Sequence, residues 1–282
     1  MTQTAREDPV YVMGRSEAES QRLMVQARLY DRITRRFLQD AGLTAGMTVL
    51  DVGSGAGDVA FAAADLVGPT GRVVGVDANP VVLETARARA REEQRSNVTF
   101  VAGDCRTAAL GDAFDAAVGR LVLMYTGDVT EALRAVVERV RPGGIVAFAE
   151  ADFTPVLGYL HAGPEGVNRS MWEWGTRAFQ CAGIQVSMVP ELNRAFLANG
   201  LGEPEMAIQA LIGGGEGWVG HEWAAESLRS LLPTLEQHGI VTADILQPET
   251  LAARSRAEVV RTGRPLMLIP LVTAWARTPG GR

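Results

Sequence analysis

The chain contains no lysine; every cationic side chain is arginine. Cysteine and histidine are nearly as scarce, with two and three copies. Cys105 and Cys181 supply neither a disulfide framework nor a metal-ligand spacing. An iron–sulfur radical centre would need a cysteine cluster, and there is none. His161, His221 and His238 are scattered along the chain. Near the end of one apolar segment Glu150 and Asp152 stand without a third ligand nearby, too few oxygen donors for a metal, so no metal is expected and both acids read as solvated or lid-facing. A basic surplus is also missing: the net charge is -6, which argues against a nucleic-acid groove. No apolar run is long enough to span a bilayer. The N-terminus lacks the apolar core of a signal peptide. These absences predict a cytoplasmic protein with no membrane and no nucleic-acid partner.

What is present is ordinary globular composition, 47% hydrophobic and 21% charged over 282 residues. That length suits one large domain or a domain with an insertion. The organising stretch is Val49-Leu50-Asp51-Val52-Gly53-Ser54-Gly55-Ala56-Gly57-Asp58. Its apolar residues predict a buried parallel strand, its glycines a tight turn, and the following residues a helix from about Asp58. The helix start aims free N–H groups and the positive end of its dipole at the turn. A strand, glycine turn and helix in this order form a candidate nucleotide or nucleoside site. A dinucleotide fingerprint reads G-x-G-x-x-G. Here the spacing is G-x-G-x-G, and Asp58 holds the place of the third glycine. Acids on both sides of the turn, Asp51 and Asp58, suit a ligand that carries positive charge.

Further strands follow at Arg72–Asp77, at 97–104, at Phe114–Arg120 and, after the turn Arg141-Pro142-Gly143-Gly144, from Ile145 to Glu150. Asp77 ends the second strand, where an acid can accept from both hydroxyls of a ribose. Helices are expected from Pro80 to about Arg95 and from Thr130 to Val140, each long enough to cross over between parallel strands. This succession resembles the class I S-adenosylmethionine-dependent methyltransferases. The carrying residues are Asp51–Gly57, Asp77, Gly103-Asp104, Phe114-Asp115 and Arg141–Gly144, in the family's order over the first half of the chain. The resemblance implies an α/β fold, a doubly wound seven-stranded Rossmann-like sheet with helical lid insertions. It implies S-adenosyl-L-methionine as cofactor, held by Gly53, Ser54, Gly55, Asp77, Ala78, Asp104, Cys105, Arg120 and Leu121. Asp77 would take the ribose hydroxyls. Asp104, with the Cys105 backbone, would face the adenine amino group. Arg120 and Leu121 would stand where the reactive methyl emerges.

The implied organisation is an N-terminal helical arm or cap over 1–45, a cofactor-binding core over 46–150, and lid insertions with the last two strands over 151–282. Ser16 and Glu19 form a capping box for a helix from about Glu17, and its apolar face is free for the core or for a second subunit. Arg15 or Gln21 would reach the methionine carboxylate if that helix closes over the cofactor. Strands are expected at 206–212 and 266–276, the latter broken at Pro270. Between them and after Glu150 lie two long insertions with helices at about 169–182, 190–198, 222–238 and 248–262. With aromatics at only 6% of the chain, the cluster Phe153, Tyr159, Trp172, Trp174 and Phe179 stands out. It reads as a pocket for a small apolar or aromatic substrate. Gly119-Arg120-Leu121-Val122 lacks the Asn/Asp-Pro-Pro-Tyr pattern that enzymes acting on DNA amines resemble one another in. Candidate general bases are His161, which titrates near neutrality, and Glu150. The expected reaction is in-line methyl transfer to a small molecule. The alternatives are a fold relative that catalyses a non-methylating step such as cyclisation, or a module that only binds the cofactor.

Overall fold

β-Branched runs with no polar alternation pack best where a sheet is covered on both faces, and the centre of this sheet is built from such runs. The computed structural model describes residues 17–111 and 113–280, with side chains from residue 25 onward. Arg15, the Ser16–Glu19 capping box and the Gln21 side chain lie outside the described residues. The elements are α1 (Glu17–Asp40), β1 (Thr48–Val52), α2 (Asp58–Val67), β2 (Arg72–Asp77), α3 (Pro80–Glu92), β3 (Val98–Ala102) and β4 (Phe114–Arg120). A one-turn 3-10 helix (Leu123–Tyr125) follows, then α4 (Val129–Val137), β5 (Val140–Ala151), α5 (Thr154–His161), α6 (Val167–Cys181), α7 (Met188–Ala198) and β6 (Glu205–Gln209). The remainder is β7 (Ile212–Gly213), α8 (Gly220–Gln237), α9 (Ala243–Leu246), α10 (Pro248–Thr262), β8 (Leu266–Met267) and β9 (Leu271–Arg277).

Two compact units divide these elements. The first holds Tyr30–Glu150, Met188–Ile208 and the chain from Val272 onward. Its sheet has seven strands in the order β3-β2-β1-β4-β5-β9-β6. β1 pairs in parallel with β2 and with β4, β2 with β3, and β4 with β5. The order reverses direction between β1 and β4, and in open α/β sheets that switch point is where ligands bind, beyond the carboxyl ends of the strands. Val49, Leu50, Val73, Val76 and Val118 are buried in the middle layer. Over them lies α2, whose Ala60, Ala62, Ala63 and Ala64 are buried and bring the helix axis close to the sheet. On α1, Phe37 and Leu38 join the same core, and Phe37 meets Trp275 of β9 edge to face at 6.3 Å.

β5 begins at Val140, five residues earlier than the glycine turn predicted. The reason is a bulge: Phe114 opposes Val140 but Ala116 opposes Ile145, so Arg141–Gly144 is looped out within the strand. A Cβ at Gly144 would lie 2.8 Å from the Asp115 carbonyl oxygen, so only glycine fits there.

The second unit holds, among the described residues, 17–29, Ala151–Ser187 and Gln209–Leu271. It is helical apart from a two-stranded antiparallel ribbon of β7 and β8. The expected last strand is split at Pro270: Leu266–Met267 joins this ribbon and Leu271–Arg277 enters the main sheet. α5 was not anticipated; its Pro155 falls in the first turn, where the missing N–H has no partner to lose. Phe153, Trp172 and Phe179 are buried here, and the rings of Phe153 and Phe179 pack 5.3 Å apart. They form core of this unit.

Candidate active site

The glycine turn after β1 has three successive left-handed glycines: Gly53 at φ +65°, Gly55 at +51° and Gly57 at +93°. Each is needed for a different reason. A Cβ on Gly53 would sit 2.6 Å from Val122, and one on Gly57 would sit 2.9 Å from the Phe61 and Phe100 rings. A Cβ on Gly55 would meet nothing within 4 Å, so the turn is open on that side. Asp77 holds the turn in place. One carboxylate oxygen accepts from the Gly55 N–H at 2.9 Å and the other from the Asn79 N–H at 2.8 Å. The Ser54 N–H donates to the Val76 carbonyl at 3.0 Å, and the Gly103 N–H to the Asp77 carbonyl at 2.9 Å. Gly53, Ser54, Gly55, Asp77 and Ala78 thus come together at one sheet edge, with the end of β3 beside them.

Beneath the turn lies a charged cluster. Asp58 at the start of α2 is bonded by Arg89 at 2.7 Å and lies 3.8 Å from Arg120. It is therefore neutralised by the protein itself, and the expectation that both acids await a cationic ligand is corrected: one of them is already paired. Asp51 differs. It is fully buried, with the Ala60 N–H of α2 turned toward it and no side chain within hydrogen-bond distance. Burial pushes its carboxyl well above the ordinary carboxylate range, and the positive field of Arg120 and the Ala60 N–H oppose the rise only in part. Arg120 donates to the Thr34 hydroxyl of α1 at 2.7 Å, and that hydroxyl donates to the Tyr30 carbonyl. On β3's far end Asp104 accepts from the Arg106 guanidinium at 2.9 Å and from the Arg106 N–H at 2.8 Å, which holds it below the ordinary carboxylate range.

The segment after β4 is strained and firmly held. Leu121 has φ +58°, an unfavourable region for a residue with a side chain. Its N–H donates to the Ala149 carbonyl at 2.8 Å. Glu150, at the end of β5, accepts from three successive backbone N–H groups: Val122 at 3.2 Å, Leu123 at 2.9 Å and Met124 at 3.3 Å. The reading of Glu150 and Asp152 as solvated is therefore corrected: both are buried, at 0% and 1% exposure. Sequence reasoning missed this role, since backbone N–H partners leave no trace in side-chain identity.

Residues 43–183 match the methyltransferase-domain family. The chain belongs to the class I S-adenosylmethionine-dependent methyltransferase family. Demethylmenaquinone methyltransferase of Lactococcus lactis subsp. lactis is 27% identical over 148 residues, which is 52% of this chain and 59% of that protein. The UbiE ubiquinone/menaquinone biosynthesis C-methyltransferase of Ectopseudomonas oleovorans is 34% identical over 42% of this chain and 68% of its own length. The chain spans about half the length of several curated relatives it matches. Among solved structures, the cyclase SpnF shares the fold, with a TM-score of 0.52 and 22% identity over 89% of this chain and 81% of that one.

For a methyltransferase of this family the cofactor is S-adenosylmethionine, and two features of the site fit it. One is the buried carboxylate of Asp51, which lacks a counter-charge of its own at bonding distance. The other is the open face of the turn at Gly55, where a ligand can approach the backbone. Among the described residues no group of three or more His, Cys, Asp or Glu side chains could hold a metal ion. No described helix is long and apolar enough to cross a membrane.

In the helical unit His161 ends α5, half-exposed, with its Nε2 2.9 Å from a Glu173 carboxylate oxygen. His221 is fully buried, and its Nδ1 lies 2.8 Å from the Ser255 hydroxyl. That hydroxyl donates to Asn168 at 2.5 Å, and a backbone hydrogen bond with Gly214 also reaches the ring. Burial, then the nearby Arg256 charge, lowers the His221 pKa.

Proposed function

We propose that this protein transfers a methyl group from S-adenosylmethionine to a small apolar or aromatic metabolite. The carrying observation is Asp51, a buried carboxylate that no side chain bonds, beside an open glycine turn. A ligand with an ammonium or sulfonium charge offsets the burial of that carboxylate, and a pyrophosphate does not. The cofactor supplies an activated methyl on a sulfonium. The protein residues do the rest. Gly53, Ser54 and Gly55 line the ligand with backbone. Asp77 keeps lone pairs free for two ribose hydroxyls while its other bonds fix the turn. Ala78, Asp104 and the Cys105 backbone flank the adenine. Arg120 stabilises the acids beneath, and Leu121 borders the reacting atoms. Alignment of nucleophile, methyl carbon and sulfur, with water excluded, is the main catalytic task.

The acceptor class rests on net charge and on the named relatives. The chain is acidic, and two relatives are named for demethylmenaquinone and for ubiquinone and menaquinone biosynthesis. The acidity disfavours a nucleic acid, and the relatives' names favour a small, apolar, ring-bearing acceptor. His161 is the candidate base for an acceptor that does not shed its proton unaided.

Calorimetric titration with S-adenosylmethionine, S-adenosylhomocysteine and NAD tests the cofactor. Binding of the first two without NAD supports the proposal, and binding of NAD alone overturns it. A screen of phenolic and quinol acceptors with labelled methyl donor then tests transfer. Cofactor binding with no transfer to any acceptor would favour the non-methylating alternative.

A further inference from the structure

We propose that Glu150 is a positioning residue for cofactor binding, which seats Val122 against Gly53 of the glycine turn by gathering the three N–H groups of the segment after β4. The inference rests on the cofactor reading above and concerns a residue that touches neither cofactor nor substrate in that reading.

Three contacts make the linkage mechanical. The Glu150 carboxylate fixes the backbone of Val122, Leu123 and Met124. The Val122 side chain presses on Gly53, where a Cβ would lie 2.6 Å from its Cγ2, and on Gly119, where a Cβ would lie 3.1 Å from its Cγ1. Between them Leu121 is held in the left-handed region at φ +58°, a conformation that persists only where surrounding bonds enforce it. Releasing the N–H groups therefore lets the segment relax and removes the wedge behind the turn that binds the cofactor.

A carboxylate does this task better than a neutral acid, because all three partners are donors and a protonated oxygen becomes a donor itself. Burial raises Glu150 to about 7, with the three N–H groups pulling the other way. The ionised and neutral forms therefore exchange near neutral pH. The titratable groups on adjoining elements are Asp115 and Arg120 on β4, Tyr125 on the one-turn helix and Arg277 on β9; Asp51 stands one strand further, on β1, and buried Asp152 follows two residues along the chain. Asp115 is bonded to Thr48 and Arg141, and Arg277 to the Gly143 carbonyl. Arg120 is turned to Thr34 and Asp58. Burial and the three N–H groups alone set the Glu150 carboxyl. Asp51 is the other carboxyl raised by burial, so a control must separate the two.

The test is S-adenosylhomocysteine affinity by calorimetry from pH 5.5 to 8.5, for the wild-type chain, Glu150→Gln and Asp51→Asn. If only the ionised form seats the turn, wild-type affinity falls about tenfold from pH 8 to pH 6. Glu150→Gln binds weakly at pH 8 and shows little change with pH. Asp51→Asn is weaker throughout but keeps the wild-type pH slope. A flat wild-type profile overturns the inference, as does a slope that survives in Glu150→Gln or vanishes in Asp51→Asn. Should Glu150→Gln fail to fold, Val122→Ala takes its place. It leaves the Glu150 bonds intact and removes the wedge, so its affinity should fall at pH 8 and lose its slope; unchanged binding refutes the linkage. Absence of wild-type binding at every pH would instead refute the cofactor reading.

Discussion

Gly53→Ala and Gly55→Ala differ by two positions and should fail in different ways. Both residues have left-handed φ angles, +65° and +51°, so either alanine adds about 1–2 kcal/mol of backbone strain. For Gly55 the strain is the whole of the folding cost, because a Cβ there meets nothing within 4 Å. For Gly53 the new methyl lies 2.6 Å from one Val122 atom and 2.9 Å from a second. Val122 is tethered through its own N–H to Glu150 and cannot withdraw freely, so overpacking adds about 1–3 kcal/mol more. Urea unfolding of the two variants should therefore separate them by roughly that increment, with Gly53→Ala the less stable. Cofactor affinity should rank them the other way relative to their stability. Gly55→Ala fills the open face of the turn and should lose S-adenosylhomocysteine binding while remaining folded. Wild-type affinity in folded Gly55→Ala would refute the placement of the ligand. Equal stability of the two variants would refute the argument from Val122.

Asp51→Asn removes a buried charge whose folded pKa is raised, so the native state binds protons more readily than the unfolded chain. Wild-type stability therefore drains away as pH rises from 3.8 through the raised folded value; the variant should lack that loss, be more stable at pH 8 in urea, and bind S-adenosylhomocysteine about tenfold or more weakly. His221 has the opposite arrangement: its folded pKa is lowered, so the unfolded chain takes up protons first and stability falls as pH drops below 6.5. His221→Asn should show a smaller drop in urea midpoint between pH 8 and pH 5.5 than the wild type, and an identical drop would remove His221 as the cause. His161→Ala breaks a half-exposed pair with Glu173 and should change stability by less than about 1 kcal/mol; unchanged turnover would make His161 a surface residue, while a large fall in turnover with cofactor affinity kept would establish it as the base.

Local chemistry made much of the first unit legible. β2 at Arg72–Asp77 and β4 at Phe114–Arg120 have the predicted bounds, because a short apolar run closed by a charged residue marks a buried strand. α10 at Pro248–Thr262 also has its predicted bounds, since a proline start and a left-handed Gly263 end leave few choices. What the sequence concealed depends on partners far along the chain. Asp58 and Asp51 look equivalent on paper; Arg89, 31 residues beyond Asp58, pairs with one and not the other. Glu150 looked like a solvated acid or a base because its partners are backbone N–H groups. The aromatic residues after Ala151 looked like a pocket; Phe153, Trp172 and Phe179 are buried together as core, and ring chemistry alone does not distinguish those uses.

β9 lies between β5 and β6 in the sheet, yet roughly sixty residues of helix and ribbon separate it in sequence from β6. During synthesis, Glu205–Gln209 leaves the ribosome long before Leu271–Arg277 exists to receive it. At ordinary elongation rates that interval lasts several seconds. For that time β5 has an unfilled edge and β6 has no neighbour in the sheet. The nascent chain is then exposed to edge-to-edge pairing with other copies, and chaperone dependence or aggregation on overexpression would originate at this gap.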